Sequence, residues 1–178
     1  MAKKGFTIFE LLVVLAIIGT LAAIVLVNIA NARSRARDAR RASDIKEISN
    51  VIGIYHASNG SYPSSGSCSY TSGTPNIWAG PAAGCTGSNW IPGIVPAYMS
   101  ELPDDPGPTT VTSMNGLLPP GTVPGNNDRG YLYWSNGVDY KIMAHIPENC
   151  SESTYKTLVD PTRVCWAWSI YSSGAINR

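Results

Sequence analysis

Three rhythms of apolar and polar positions run along the chain. From Phe6 to Ala30 there are 25 residues without Lys, Arg or Asp, and Glu10 is the single charge among them. About 20 mainly apolar residues suffice for a membrane-spanning helix, so this segment is long enough to cross a bilayer. Beyond it the rhythm changes. Ala42, Ile45, Ile48, Ile52 and Tyr55 step by three or four, which puts them on one face of a continuing amphipathic helix. Asp38, Arg41, Asp44 and Glu47 fall mostly elsewhere. Asn59-Gly60 supplies a stop, followed by Tyr62-Pro63. A helix from Phe6 to Ser58 would be roughly 80 Å long at 1.5 Å per residue.

The third rhythm has period two. Val138, Tyr140, Ile142, Ala144 and Ile146 alternate with Asp139, Lys141, Met143 and His145, the pattern of a half-buried strand. The stretch YLYWS before it and Asn136-Gly137 between predict a hairpin with a two-residue type I′ turn. VCWAWSIY predicts a further strand with Trp166, Trp168 and Ile170 on one face. Residues 59–130 hold 12 Gly and 11 Pro, so little regular structure fits there. One exception is a short helical turn opened by Pro96 and ended by Pro103, with Tyr98, Met99 and Leu102 inward. The expected fold class is α+β: a long N-terminal helix packed on a small antiparallel sheet of three or so strands. The expected segments are 1–5, 6–30, 31–58, 59–130 and 131–178, with 59–178 forming a globular head.

Formal net charge is +1, which gives no bulk pull towards nucleic acid. The distribution is more telling. Residues 33–47 carry six Lys/Arg against three Asp/Glu, whereas 59–178 carry five against eight. A basic collar beside an apolar segment reads as a membrane-proximal stalk before a solvated body. No aromatic residues interleave the arginines, which argues against a nucleic-acid surface. Positive-inside counting alone would leave the C-terminal body in the cytoplasm.

The cysteines point the other way. Cys68, Cys85, Cys150 and Cys165 all follow the apolar run, and none has C-x-x-C spacing, so a zinc site is a poor reading. An even count suggests two disulfides in an oxidising compartment. Four cysteines allow three pairings; 68–85 and 150–165 are favoured because each closes a short loop. Neither His56 nor His145 sits in a catalytic motif. Gly-x-Ser-x-Gly, His-Glu-x-x-His and a phosphate loop are all missing from the sequence, so neither an enzyme nor a cofactor is indicated.

Glu10 is the anomaly. An acid inside a spanning segment is a functional hypothesis by default, although at one turn into the helix it could also lie near the headgroups. KKGFTIFELLVVLAIIGTLAAI resembles the leader and helix start of type IV pilins and of the related pseudopilins of type II secretion: a short basic leader ending in Gly, an aromatic residue, Glu four positions on, then a long apolar helix. The resemblance implies a prepilin peptidase that cuts between Gly5 and Phe6 and methylates Phe6. It also implies that Glu10 is an assembly residue, its carboxylate pairing with the new N-terminal amine of a neighbouring subunit. NGSYP after the helix and Leu102-Pro103-x-Asp105-Pro106 resemble the same family. In the major pseudopilin, Trp-Gly and a calcium-binding loop follow the latter element. Here Gly107-Pro108-Thr109-Thr110 follows, which leaves Asp104, Asp105 and Asp128 as weak calcium candidates.

The resemblance implies a structural subunit that polymerises with itself, held in membrane lipid as a single-pass protein of the cytoplasmic membrane, its head outside the cytoplasm. It would then be moved by an assembly platform into a surface filament. A secretion pseudopilin is the near alternative, and a membrane-tethered binding module with no polymer is the distant one.

Overall fold

An α-helix, α1, runs over Ile8–Asn59 in the computed structural model. The structure describes residues 5–65, 78–80, 89–107, 130–149 and 152–178, with backbone alone at 24–27 and 164–165. By packing, the chain forms two units, Met1–Ala36 and Arg37–Arg178. In the first, none of the most apolar stretch of α1 is buried among the described residues, and Leu12, Leu15 and Leu21 stand more than half exposed.

In the second unit the predicted apolar face is buried. Ala42, Ile45, Ile48 and Ile52 are between 0% and 4% exposed and share one cluster with Tyr131, Tyr133, Ile142, Ala144 and Trp168. Fully burying such a side chain contributes about 1.5–3 kcal/mol. The helix ends where the sequence places a stop. Asn59 Nδ2 donates to the Tyr55 carbonyl, and Gly60, at φ +74°, donates its N–H to the His56 carbonyl.

The sheet has four antiparallel strands: β1 (Gly130–Ser135), β2 (Tyr140–His145), β3 (Val159–Asp160) and β4 (Val164–Tyr171), in the order β1-β2-β4-β3. The added member is the two-residue β3, too short to leave an alternating pattern. A bridge from Ala79 to Tyr133 covers part of the outer edge of β1.

Four expectations are corrected. Ser135 pairs with Tyr140, so a four-residue loop joins β1 to β2 in place of a type I′ turn. Asn136 Oδ1 accepts the N–H groups of Val138 and Asp139, and this side-chain cap replaces the tight backbone turn. The resulting shift by two residues keeps every side chain on its predicted face. Val138 lies in the loop and is 77% exposed. Next, β2 is not half-buried. Lys141, Met143 and His145 are covered as well: Met143 clusters with Leu132 of β1 and Ala167 of β4 on the same face, Trp78 packs against that cluster, and Lys141 is held by the C-terminal residues. Residues 92–98 form turns without a helix, although Leu102 is buried and Tyr98 and Met99 pack against the core. Lastly, Asp38, Arg41 and Asp44 are not on an outer face of α1; all three are buried.

Candidate functional site

Two sets of polar residues bear on the expected sites, one at the start of α1 and one where α1 meets the turns of the second unit.

At the start of α1, Gly5 and Phe6 are exposed and non-helical, and Phe6 is 85% exposed. Thr7 is the cap. Glu10 donates its backbone N–H to Thr7 Oγ1 at 3.2 Å, and Glu10 Oε2 accepts the Thr7 N–H at 2.9 Å and the Thr7 hydroxyl at 2.8 Å. This is a reciprocal capping box, which satisfies two otherwise orphaned donors. The carboxylate also sits at the positive end of the helix dipole. Glu10 is therefore not an isolated charge in an apolar run; it belongs to the first turn of the helix. The Thr-x-x-Glu spacing carries that information in the sequence, and Thr7 is the residue that reading for membrane span passes over. Chemically, the arrangement offers an accessible Gly5–Phe6 peptide bond and a carboxylate held one turn away.

The second set centres on Arg41. Its Nε donates to Asp105 Oδ2 at 2.7 Å and its Nη2 to Asp105 Oδ1. Nη1 donates to Asp38 Oδ1 at 2.7 Å and to Glu148 Oε1 at 3.0 Å. Arg37 clamps the same Glu148 through Nε and Nη2 at 2.7 and 2.6 Å. Asp38 in turn accepts the backbone N–H groups of Glu148 and Asn149. Burial alone would lower the Arg41 pKa, but Asp105, Asp38 and Glu148 outweigh it and raise the guanidinium further above its ordinary value. Beside this cluster Tyr131 donates its hydroxyl to Asp44 Oδ2 at 2.6 Å; burial, then Asp44, pushes that phenol up.

These contacts decide how the calcium candidates stand. Both oxygens of Asp105 are taken by Arg41, Asp104 is exposed, and Asp128 lies outside the described residues. Among the described residues no three His, Cys, Asp or Glu side chains are grouped to share an ion. The donor set around Asp105 does not fit a divalent cation, since a fixed positive charge already fills it. The arginine collar is also divided: Arg37 and Arg41 are bound into the folded unit, while Arg33 and Arg40 are exposed. Cys68, Cys85 and Cys150 lie outside the described residues, as does the side chain of Cys165. His56 stacks on Tyr62 at 4.3 Å between centroids, a packing role.

Residues 1–26 match the prokaryotic N-terminal methylation motif. Over 104 residues, 58% of the chain, the sequence is 30% identical to the type II secretion system core protein G of Pseudomonas aeruginosa, covering 68% of that protein. It is 29% identical to the protein of the same name from Escherichia coli K12, covering 66% of it. The aligned stretch thus spans about two thirds of the length of these relatives. A shorter match of 61 residues, 41% identical, covers 47% of the type IV wide pilus major component PilA4 of Thermus thermophilus. No solved structure matches the chain.

Proposed function

This chain belongs to the family of type IV pilins and type II secretion pseudopilins, and from that premise we propose that it is a structural subunit that polymerises through α1 into an extracytoplasmic filament. The observation that carries the reading is the first unit itself. A helix apolar enough to cross a membrane has none of its most apolar stretch buried among the described residues, and it begins in a capped turn directly after an exposed Gly5–Phe6 bond. Such a surface is tolerated in water only when lipid or other subunits cover it.

The steps then follow in order. The chain is inserted in the inner membrane with residues 37–178 outside the cytoplasm. A prepilin peptidase removes residues 1–5 and methylates Phe6. On an inner-membrane assembly platform, the Glu10 carboxylate meets the amine of the neighbouring subunit, and helix packing replaces lipid contact. An unpaired charge in an apolar filament core would be costly, so the pairing fixes the axial register. Cys68–Cys85 and Cys150–Cys165 staple the exported part. The role is structural, with no bound cofactor.

A secretion pseudopilus is the second reading, supported by the Leu102-Pro103-x-Asp105-Pro106 element and by the names of two of the relatives above. The test is the intact mass and N-terminal sequence of protein from sheared surface filaments, together with Glu10→Ala. A chain starting at methylated Phe6, four hydrogens lighter for two disulfides, and loss of filaments in Glu10→Ala are expected. An unprocessed chain confined to membranes, or filaments that survive Glu10→Ala, would overturn the proposal. Processed subunits that support protein export without surface fibres would favour the pseudopilus.

A further inference from the structure

The cluster around Arg41 gathers carboxylates onto one cation. Oxygen ligands arrive from three separate segments: Asp38 from α1, Asp105 from the 102–107 turn and Glu148 from the 146–149 turn. At the centre, in place of an ion, sits one guanidinium whose side chain is fully buried. The second cation, Arg37, lies at the rim on Glu148. Among the described residues, two guanidiniums thus face three carboxylates, and the central one is fully buried. We propose that the Arg41 guanidinium is a built-in cation that closes both turns onto α1, so that this joint holds its shape without a divalent ion.

Three details support this. The Arg41–Asp105 pair is bidentate, a geometry that orients as well as attracts. Gly107 N donates to Asp105 Oδ1 at 2.8 Å, and a side chain at 107 would collide with Arg41 Nη2, so the turn is shaped around the guanidinium. Asp38 holds the opposite turn through three donors, the N–H groups of Glu148 and Asn149 and the Asn149 side chain. A calcium ion at Asp105 would have to share its ligand with a permanent positive charge that cannot deprotonate.

The proposal is tested by thermal unfolding of the full chain in detergent micelles, followed by near-ultraviolet circular dichroism, in excess calcium chloride and in excess chelator. The native chain is expected to unfold at the same temperature in both. Arg41→Gln removes the central cation and leaves three carboxylates converging, so its midpoint falls by about 10 °C. Calcium is expected to leave the native chain unmoved, since a guanidinium already fills the Asp105 carboxylate. Arg41→Lys keeps the charge but not the fork, and it should fall between the two. A native chain that gains several degrees from calcium, with the gain abolished by Asp105→Asn, would overturn the proposal. So would an Arg41→Gln chain as stable as the native one. Neither result bears on whether Glu10 carries assembly, so the filament reading is judged separately.

Discussion

Asp160→Asn isolates the worth of a single buried charge. Lys141 lies on the second face of β2, and its ammonium and Asp160 are both fully buried, with Nζ 2.6 Å from Oδ2. Nζ also donates to the Ile176 carbonyl at 3.2 Å and to a main-chain oxygen of Arg178 at 2.7 Å. The other oxygen, Asp160 Oδ1, accepts from the Thr162 N–H, the Thr162 hydroxyl and the Arg163 N–H, all within 2.9 Å. An amide keeps that oxygen and its three hydrogen bonds, so the turn from β3 to β4 survives. What disappears is the carboxylate charge that faces Lys141 at 2.6 Å and Arg163 Nη1 at 3.8 Å, and breaking one side of a buried pair costs about 3–5 kcal/mol. Against a total stability of about 5–15 kcal/mol the loss is large, near 10 °C in midpoint. Lys141→Met added to Asp160→Asn removes the stranded cation and should recover most of it. The acid limb is a second readout. Burial would raise the Asp160 pKa, but the contacts from Lys141 and Thr162 and the Lys141 charge together hold it below its ordinary value of 3.8. A depressed folded pKa means stability that is fully present above about pH 4 and lost as pH falls through the folded value. Unfolding midpoints measured by circular dichroism between neutral and strongly acid pH should therefore fall less steeply for Asp160→Asn. A variant that loses under about 1 kcal/mol, or that shows the native acid slope, would refute the reasoning.

Ile48→Ala empties a fully packed position of the α1 face and should cost about 2–5 kcal/mol by chemical unfolding; a loss within error would mean the helix face is not the core. Tyr131→Phe deletes the 2.6 Å bond to Asp44 and leaves that carboxylate only Arg40 at 3.7 Å, a loss of about 1.5–3 kcal/mol in the same assay. Thr7→Ala and Glu10→Gln separate cap from charge. The first abolishes the capping box and keeps the carboxylate; the second keeps a capping residue and removes the charge. Sheared filament yield should drop modestly in Thr7→Ala and vanish in Glu10→Gln, and the opposite order would assign the role to helix initiation.

The parts of this fold that could be read in the sequence are those set by local rules. The apolar run, the helix stop at Asn59-Gly60 and the face alternation of β2 follow from periods of 3.6 and 2 and from turn chemistry. So does Thr7-x-x-Glu10, a pattern contained within four residues. The hairpin shows where such rules end. Asn136-Gly137 announced a turn correctly, yet the side chain of Asn136 closed a longer loop, a choice between two local solutions that neighbouring packing decides. The Arg41 joint is more instructive. Asp38, Arg41, Ile45, Ile48, Ile52 and Tyr55 step by three or four throughout, so spacing alone places Arg41 on the buried stripe. Polarity argued against it, and polarity was misleading, because a charge can be buried once it is fully paired. Those partners, Asp105 and Glu148, lie 64 and 107 positions away. Periodicity can thus flag a charged residue on an apolar face as one that must find partners, but it cannot supply them. A guanidinium on the core stripe of a helix is better read as a demand for distant carboxylates than as evidence that the helix face ends there.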